Sequence, residues 1–160
     1  PKDVLLTVKK EGHSFDSKVF KAKDIKAKKI PPVVKGEKLE VSKLEVGKAY
    51  TIDDILYTTG SADIEEDSKI ILDGFAQYLK DNPTIKVEIQ GHTDDLGNDQ
   101  TNLALSQDRA FTVLEYLAAR GVKASRLRFK GYGEGKPKVP NTSDANRAKN
   151  RRTDFKIISM

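Results

Sequence analysis

Apolar and polar positions alternate at the start of the chain and then lose their period. Residues 4–10 read VLLTVKK, residues 17–20 read SKVF, and the stretch between them holds the Gly and Ser of a turn. A period of two predicts two β-strands. Because an isolated hairpin is marginally stable in water, we interpret residues 1–20 as an arm or as the remnant of a preceding β-domain. Residues 21–48 are rich in lysine, contain two consecutive prolines and show no sustained period, which is typical of a linker.

Strand and helix periods alternate over the remainder of the chain, residues 49–160. A short apolar strand is predicted around residues 55–57, and it is followed by a helix with apolar positions at helical spacing. Asp63 and Glu66 occupy capping-box positions at the start of this helix, and an Asn-Pro pair ends it. The apolar positions of this helix are Ile64, Ile71, Leu72, Phe75 and Leu79.

A second helix is predicted between strands farther along the chain. Residues 85–89 alternate as a half-buried strand, and residues 99–120 form a helix that ends at the C-cap glycine Gly121. Two more strands, RLRFKGYG and RRTDFKII, flank a short helix or irregular return. The order β-α-β-α-β-(α)-β predicts an α/β two-layer sandwich, a small mixed sheet of about four strands with helices on one face. The buried stripe of the second helix is predicted to comprise Leu103, Ala110, Val113, Leu114 and Leu117.

The net charge of +5 is concentrated in the first third of the chain. Residues 1–48 hold 13 lysines against 7 acids, whereas the rest holds 16 basic residues against 17 acids. No aromatic residue for base stacking is interleaved with the lysines of the Pro-containing stretch 21–48, so the pattern favours a solvated linker over a nucleic-acid partner. The absence of cysteine excludes disulfides, thiolate nucleophiles and Cys-ligated zinc.

Neither the first residues nor the apolar runs of the chain predict a membrane segment. No stretch approaches the 18 apolar residues of a transmembrane helix, and the first residues do not form a leader, so we expect no transmembrane segment and no signal peptide. The chain begins with Pro1 rather than Met, which indicates a mature product or an excised piece.

Candidate chemistry concentrates in the stretch GHTDDLGNDQTNLALSQDRA, residues 91–110. His92 beside Asp94 and Asp95 is the only arrangement suited to acid-base catalysis, and neither a Gly-x-Ser-x-Gly elbow nor a His-Glu-x-x-His helix is present. A histidine at a strand end is more often a hydrogen-bonded structural residue. We therefore predict a protein that is not an enzyme.

Metal and cofactor sites are also disfavoured by spacing. Asp94, Asp95 and Asp99 lie close together, but Leu96 stands where a calcium loop needs its second oxygen ligand. Asp99 and its neighbours are better explained as caps of the following helix that favour its positive end. The stretch GYGEGKP fits neither a dinucleotide loop nor a P-loop, because Lys136 and Pro137 stand at required positions. We predict no metal and no cofactor.

The remaining arrangement is an acid and a guanidinium directed at one space. Asn102 and Arg109 share a helix face two turns apart, and the preceding loop can bring Asp94 close to Arg109. Asp63, at the start of the other helix, would lie at the same sheet edge. Such a set suits a zwitterion, since carboxylates bind an ammonium and the arginine fork binds a carboxylate. An Asp94–Arg109 ion pair that merely ties loop to helix explains the spacing equally well.

These motifs resemble those of the OmpA-like peptidoglycan-binding domain, the family shared by outer-membrane protein A, peptidoglycan-associated lipoprotein and the flagellar stator subunit. The family pattern Thr-Asp, Gly, Asn-x-x-Leu-Ser-x-x-Arg-Ala is met in residues 93–110, and Gly-x-Gly, Pro and Arg-x-x-Asn-Arg-Arg are met in residues 131–152. The resemblance covers residues 50–159. One departure is the segment with Tyr57 and Thr58-Thr59-Gly60, where many relatives have a Phe-x-Phe-Asp type strand end.

The resemblance implies a ligand and its contacts. Asp94 and Arg109 would hold the free end of diaminopimelate in the peptide stem, and Asp63 would also reach its ammonium. Thr93, Asn102 and Leu105 would line the same site. Lysine lacks the second carboxylate of diaminopimelate, so a lysine stem would leave Arg109 without a partner.

The resemblance also implies a location and a role. We expect a periplasmic, outer-membrane-associated module that anchors a larger protein to the cell wall, with peptidoglycan and outer-membrane or secretion-system proteins as partners. Residues 1–48 are similar to the stretch before this domain in multidomain envelope proteins of Bacteroidetes-type bacteria, some of them in type IX secretion. Two alternatives are a peptidoglycan-modifying enzyme that uses His92 and Asp94, and a purely protein-protein envelope module.

Overall fold

A computed structural model describes residues 3–7, 12–20 and 41–160 of the chain. A small hairpin precedes a four-stranded mixed sheet with helices, and the α/β fold expected from the sequence is confirmed. The elements are β1 (Val4–Thr7), β2 (Ser17–Phe20), β3 (Ala49–Ile52), α1 (Glu66–Asp81), β4 (Lys86–Gly91), α2 (Asp99–Ala119), a 3-10 turn (Ala124–Arg126), β5 (Leu127–Gly131), α3 (Asp144–Asn150) and β6 (Thr153–Ser159).

The main sheet has the strand order β3-β6-β4-β5. β4 and β5 run parallel, so a crossover is needed between them, and α2 provides it. β6 lies antiparallel to both of its neighbours. Since β4 and β5 end side by side at Gly91 and Gly131, the loops that follow these two strands meet at one edge of the sheet. Ligand sites in α/β folds form at this kind of edge.

The core is built on aromatic residues that the helical and strand periods turn inward. Phe75 of α1 and Phe155 of β6 are fully buried, and their ring centroids lie 4.8 Å apart. Tyr50 of β3 stacks on Phe155 at 5.5 Å. β3 pairs with β6 at the edge of the sheet, so the predicted strand at residues 55–57 was placed too late in the sequence. Tyr57 forms only an isolated bridge, with Ile64.

The start of α1 differs from the predicted capping box. The helix begins at Glu66, and its N-cap residue Glu65 makes no side-chain capping bond. Asp63 lies in the preceding turn, where its backbone oxygen accepts from Thr58 N at 2.9 Å. Because the Tyr57–Ile64 bridge holds this segment extended, the helix cannot start at Asp63. The capping-box prediction was wrong.

The first half of α2 turns polar residues inward. Leu103, predicted to be buried, is 51% exposed, whereas Asn102 and Ser106 are buried. Gly91 and Gly131 explain why the buried face carries Ser106, because a Cβ at either glycine position would collide with Ser106. The strand ends therefore approach the helix backbone closely, and small or polar side chains fill the contact.

The N-terminal hairpin packs against α1. β1 and β2 pair antiparallel from Val4–Phe20 to Thr7–Ser17, which confirms the two predicted strands. Phe15 is buried, with its ring 5.3 Å from that of Phe75. Residues 21–40 of the predicted linker lie outside the described residues, so the division of the chain into arm, linker and domain stays a prediction. No helix within the described part of the chain is long and apolar enough to cross a membrane.

Candidate functional site

A cleft of about 480 Å³ opens where β4 and β5 end. Its walls come from the loop after β4, the first turns of α2, the segment before α1 and the residue that follows α3. Five of the six predicted site residues line it: Thr93, Asp94, Asn102, Leu105 and Arg109. The other lining residues are Tyr57, Thr59, Gly60, Leu96 and Arg151.

Asp94 is the acid of the cleft, and it is almost completely buried, with 7% of the residue exposed. Its Oδ1 accepts from the backbone N–H of Leu96 at 3.1 Å. Its Oδ2 accepts from Nη1 of Arg151 at 2.5 Å. The partner of Asp94 is therefore Arg151, and the alternative in which Asp94 and Arg109 form a closing ion pair is not the arrangement found.

Arg109 occupies a different wall of the cleft. Its Nε donates to the carbonyl of Ser61 at 2.9 Å, and its guanidinium lies 4.7 Å from the ring centre of Tyr57. Within the described residues, no carboxylate pairs with this arginine. Burial lowers the pKa of Arg109, and the neighbouring charge of Arg151 lowers it further, against the opposing influence of Tyr57 and Asp94. Burial also disfavours the charged form of Tyr57 and raises its pKa to about 12, so its hydroxyl stays neutral.

Asn102 links the loop after β4 to the loop after β5. Its buried amide donates to the carbonyl of Leu96 at 3.1 Å and to Oε2 of Glu134 at 2.8 Å. The helix that carries Asn102 is capped by Asn98, whose side chain accepts from the backbone N–H groups of Gln100 and Thr101. Among Asp99 and its neighbours, Asn98 is therefore the residue that caps the helix, and Asp99 lies in the first turn.

Thr93 and Leu105 contribute in different ways. Thr93 is buried, and its backbone N–H donates to the carbonyl of Gly133 at 2.9 Å. Its hydroxyl has no hydrogen-bond partner among the described residues. Leu105 is half-buried and, with Leu96, gives the cleft an apolar side.

Asp63 lies outside the cleft. Its side chain is exposed, and its carboxylate accepts from the hydroxyl of Ser61 at 2.8 Å. The expectation that Asp63 shares the pocket rested on a helix start at that residue. Because α1 begins three residues later, Asp63 is not among the lining residues.

Arg151 is the site residue that spacing did not find. It belongs to the Arg-x-x-Asn-Arg-Arg stretch, whose role in the site the sequence left open. The buried Asn150 accepts at Oδ1 from the backbone N–H groups of Lys138 and Val139, at 2.8 and 3.1 Å. This clamp fixes the end of α3, and Arg151 is then directed at Asp94.

His92 has a structural environment. It is 3% exposed, and its ring stacks on Tyr132 with 5.3 Å between centroids. Its Nε2 lies 3.3 Å from Oδ2 of Asp154, which also accepts from Arg152 at 3.0 Å. Burial alone would raise the pKa of Asp154, but His92 and Arg152 outweigh it and hold that pKa below its ordinary value. His92 does not line the cleft.

Asp95, the acid next to Asp94, has a partner of its own. Asp95 accepts from Nε of Arg147 at 2.8 Å, and Arg147 also reaches Asp144 at 3.3 Å. In residues 3–7, 12–20 and 41–160, no group of three acidic or histidine side chains is placed to hold a metal ion.

Comparisons with known proteins find relatives that match about half of this chain. The chain is 43% identical over 89 residues to the peptidoglycan-associated lipoprotein of Pasteurella multocida, a match that covers 56% of this chain and 59% of that protein. The chain thus spans little more than half the length of the curated relatives it matches.

Solved structures show the same fold. The peptidoglycan-associated lipoprotein from Burkholderia pseudomallei superimposes with a TM-score of 0.60 at 33% identity, covering 64% of this chain and 87% of that one. The periplasmic domain of Helicobacter pylori MotB gives a TM-score of 0.65 at 25% identity, covering 81% and 83%. The sequence profile of the OmpA family matches residues 56–151, and these include every residue that lines the cleft. The chain therefore belongs to the OmpA family.

Proposed function

We propose that this domain binds peptidoglycan non-covalently by holding the free end of a diaminopimelate residue of the peptide stem. The observation that carries the proposal is the separation of Asp94 and Arg109 on two walls of one open cleft. An acid and a guanidinium that do not bind each other are available for the opposite ends of an amino acid. The relatives named peptidoglycan-associated lipoprotein support peptidoglycan as the polymer that is bound.

The chemistry assigns each group a partner. The ammonium of diaminopimelate binds Asp94, and its carboxylate binds the terminal nitrogens of Arg109, which are free of the Ser61 contact. Thr93 and Asn102 position the loop around Asp94, and Leu105 contacts the aliphatic chain. A charge-assisted hydrogen bond contributes about 1.5–3 kcal/mol, which gives selectivity but modest affinity for one stem.

The cell envelope is the setting in which such a site is useful. A polymeric wall presents many stems, so weak single contacts add up to firm attachment. We infer a periplasmic, outer-membrane-associated module that tethers a larger protein, and its outer-membrane or secretion-system partners lie beyond this domain. His92, packed on Tyr132 beside Asp154, keeps a structural role in this non-catalytic function.

Sedimentation with purified cell wall tests the proposal. The domain is mixed with insoluble wall of the diaminopimelate type, and the pellet and supernatant are both analysed. We expect the domain in the pellet and no released wall fragments. Released muropeptides would point to a wall-modifying enzyme, and a domain that stays in the supernatant would point to a protein-protein module.

A titration then tests the ligand. The domain is titrated with the stem tripeptide L-Ala-γ-D-Glu-diaminopimelate and, in parallel, with L-Ala-γ-D-Glu-L-lysine, whose side chain ends in an ammonium without a carboxylate. We expect binding of the diaminopimelate tripeptide and at least tenfold weaker binding of the lysine tripeptide, because Arg109 would lose its partner. Equal binding of the two would contradict the role given to Arg109.

A further inference from the structure

The charges that line the cleft are not balanced. Its charged residues are one acid, Asp94, and two arginines, Arg109 and Arg151. The free end of diaminopimelate carries one ammonium and one carboxylate, so it is neutral as a whole. A cleft that bound only this group would keep one positive charge without a counterpart in the ligand.

The positive charges of the two arginines repel each other across the cleft. The charge of Arg151 lowers the pKa of Arg109, as burial does to a greater extent. Like charges that line one cleft destabilise each other unless an anion lies between or beside them. Asp94 offsets part of this repulsion, but it must also serve the ligand's ammonium.

Arg151 has donors left for an anion. Of its five N–H groups, the contact with Asp94 uses Nη1 alone, and no other hydrogen bond of this side chain is found among the described residues. The side chain is 49% exposed and lines the cleft. It can therefore hold Asp94 in position with one nitrogen and present others to a bound molecule.

We propose that Arg151 binds a second carboxylate of the stem, so that the cleft prefers stems in which two carboxylates are free. This inference rests on the proposed function. The stem offers two sources for the second carboxylate: the α-carboxylate of the γ-linked D-glutamate before diaminopimelate, and the α-carboxylate of diaminopimelate where it ends the stem. Amidation at either position removes the charge and leaves the size nearly unchanged.

Calorimetric titration with three synthetic tripeptides, L-Ala-γ-D-Glu-diaminopimelate and its two singly amidated forms, tests the proposal. The amidated forms carry the amide either on the D-glutamate or on the α-carboxylate of diaminopimelate. We expect the free tripeptide to bind roughly tenfold more tightly than one of the amidated forms, and the identity of that form tells which carboxylate Arg151 binds. Equal affinity for all three tripeptides would overturn the inference.

The variant Arg151→Gln assigns the preference to its residue. Binding of all three tripeptides weakens, because Asp94 loses its partner, and the preference between free and amidated stems falls to less than about twofold. A preference that persists in Arg151→Gln would overturn the assignment. Lys149→Gln is the matched control, since it removes one positive charge from the same segment at an exposed position outside the cleft, and it keeps the tenfold preference.

The tripeptide titrations and the wall sedimentation together separate the role of Arg151 from peptidoglycan binding itself. If the domain binds all three tripeptides equally, peptidoglycan binding stands and the role of Arg151 does not. If none of the tripeptides binds, and the wall does not sediment the domain, both fail together.

Discussion

Two of the openings formed by the described residues have nearly equal volume, and they differ in how their charges are paired. The cleft at the ends of β4 and β5 measures about 480 Å³, and a groove between the hairpin and the edge strand β3 measures about 490 Å³. In the groove, Arg152 is bound to Asp154 at 3.0 Å and Lys138 donates to the hydroxyl of Thr51 at 3.2 Å. In the cleft, Arg109 has no acidic partner among the described residues.

Volume alone therefore does not identify a ligand-binding site. The cations of the groove are already engaged with neighbouring side chains, so a charged ligand would have to displace them. The cleft instead leaves the terminal nitrogens of Arg109 without a hydrogen-bond partner among the described residues, and Asp94 is held in place by an arginine that is half-exposed. We therefore expect changes in the groove to alter stability and changes in the cleft to alter binding.

Phe15→Ala is expected to have the largest effect, and on stability only. Phe15 lines the groove and packs its buried ring on Phe75 and Tyr78, so its removal leaves a cavity in the core. The free energy of unfolding should fall by about 3 kcal/mol. Chemical denaturation measures this change, and wall sedimentation of the folded fraction should be unchanged. A loss of wall binding in folded protein would show that groove and cleft are coupled.

Asp94→Asn is expected to reduce binding to diaminopimelate-type wall at least tenfold. Asparagine keeps the size and can still accept from Leu96, but it does not carry the charge that an ammonium requires. Sedimentation at several wall concentrations measures the loss, and circular dichroism should show a folded domain. The matched control is Asp53→Asn in the groove, which should sediment like the unchanged protein. A collapse in thermal stability of Asp94→Asn would mean that the Asp94–Arg151 pair is only structural.

Arg109→Lys is expected to lower wall binding by about tenfold while keeping the charge. Lysine presents a single ammonium where the ligand's carboxylate needs a planar fork, and it cannot keep the Nε bond to Ser61 in the same geometry. Arg120→Lys provides the control, because Arg120 pairs with Asp73 on the surface at the other end of α2. Equal losses in both variants would indicate a general effect of arginine replacement.

The sequence predicts the elements whose position follows from a local pattern, and it misplaces those whose position depends on distant contacts. The helices α1 and α2 and the strand β4 were predictable because each packs one apolar stripe on the core, and a stripe shows in a local period. β3 was misplaced because its position depends on pairing with β6, about a hundred residues away, and not on its own pattern. The buried face of α2 was misjudged at Leu103 because the close approach of two glycines decides it.

The predicted binding residues that are neighbours in sequence line one cleft, and spacing missed a lining residue that is distant in sequence. Thr93, Asp94, Asn102, Leu105 and Arg109 fall within one loop and one helix. Arg151 reaches Asp94 across 57 residues of chain, and no spacing rule links the two. Asp63 was placed at the cleft by a helix start at that residue and by the family resemblance, but the helix starts at Glu66 and Asp63 does not line the cleft.

Asp53→Asn is expected to have the smallest effect, a gain in stability at pH 7 of less than about 1 kcal/mol, because the carboxylate is accessible to solvent. Burial, followed by the charges of Asp16, Asp54 and Asp154, raises the pKa of Asp53 against the opposing Lys138. A carboxyl whose pKa is higher in the folded state than in the unfolded state costs stability once it is ionised, and this cost disappears as the pH falls through the folded-state pKa. Denaturant unfolding at pH 7 should thus favour the variant, and at pH values below about 3.9 the difference should vanish. A variant less stable than the parent at pH 7 would show that the groove needs this acid, and the two openings would then be more alike than their pairing indicates.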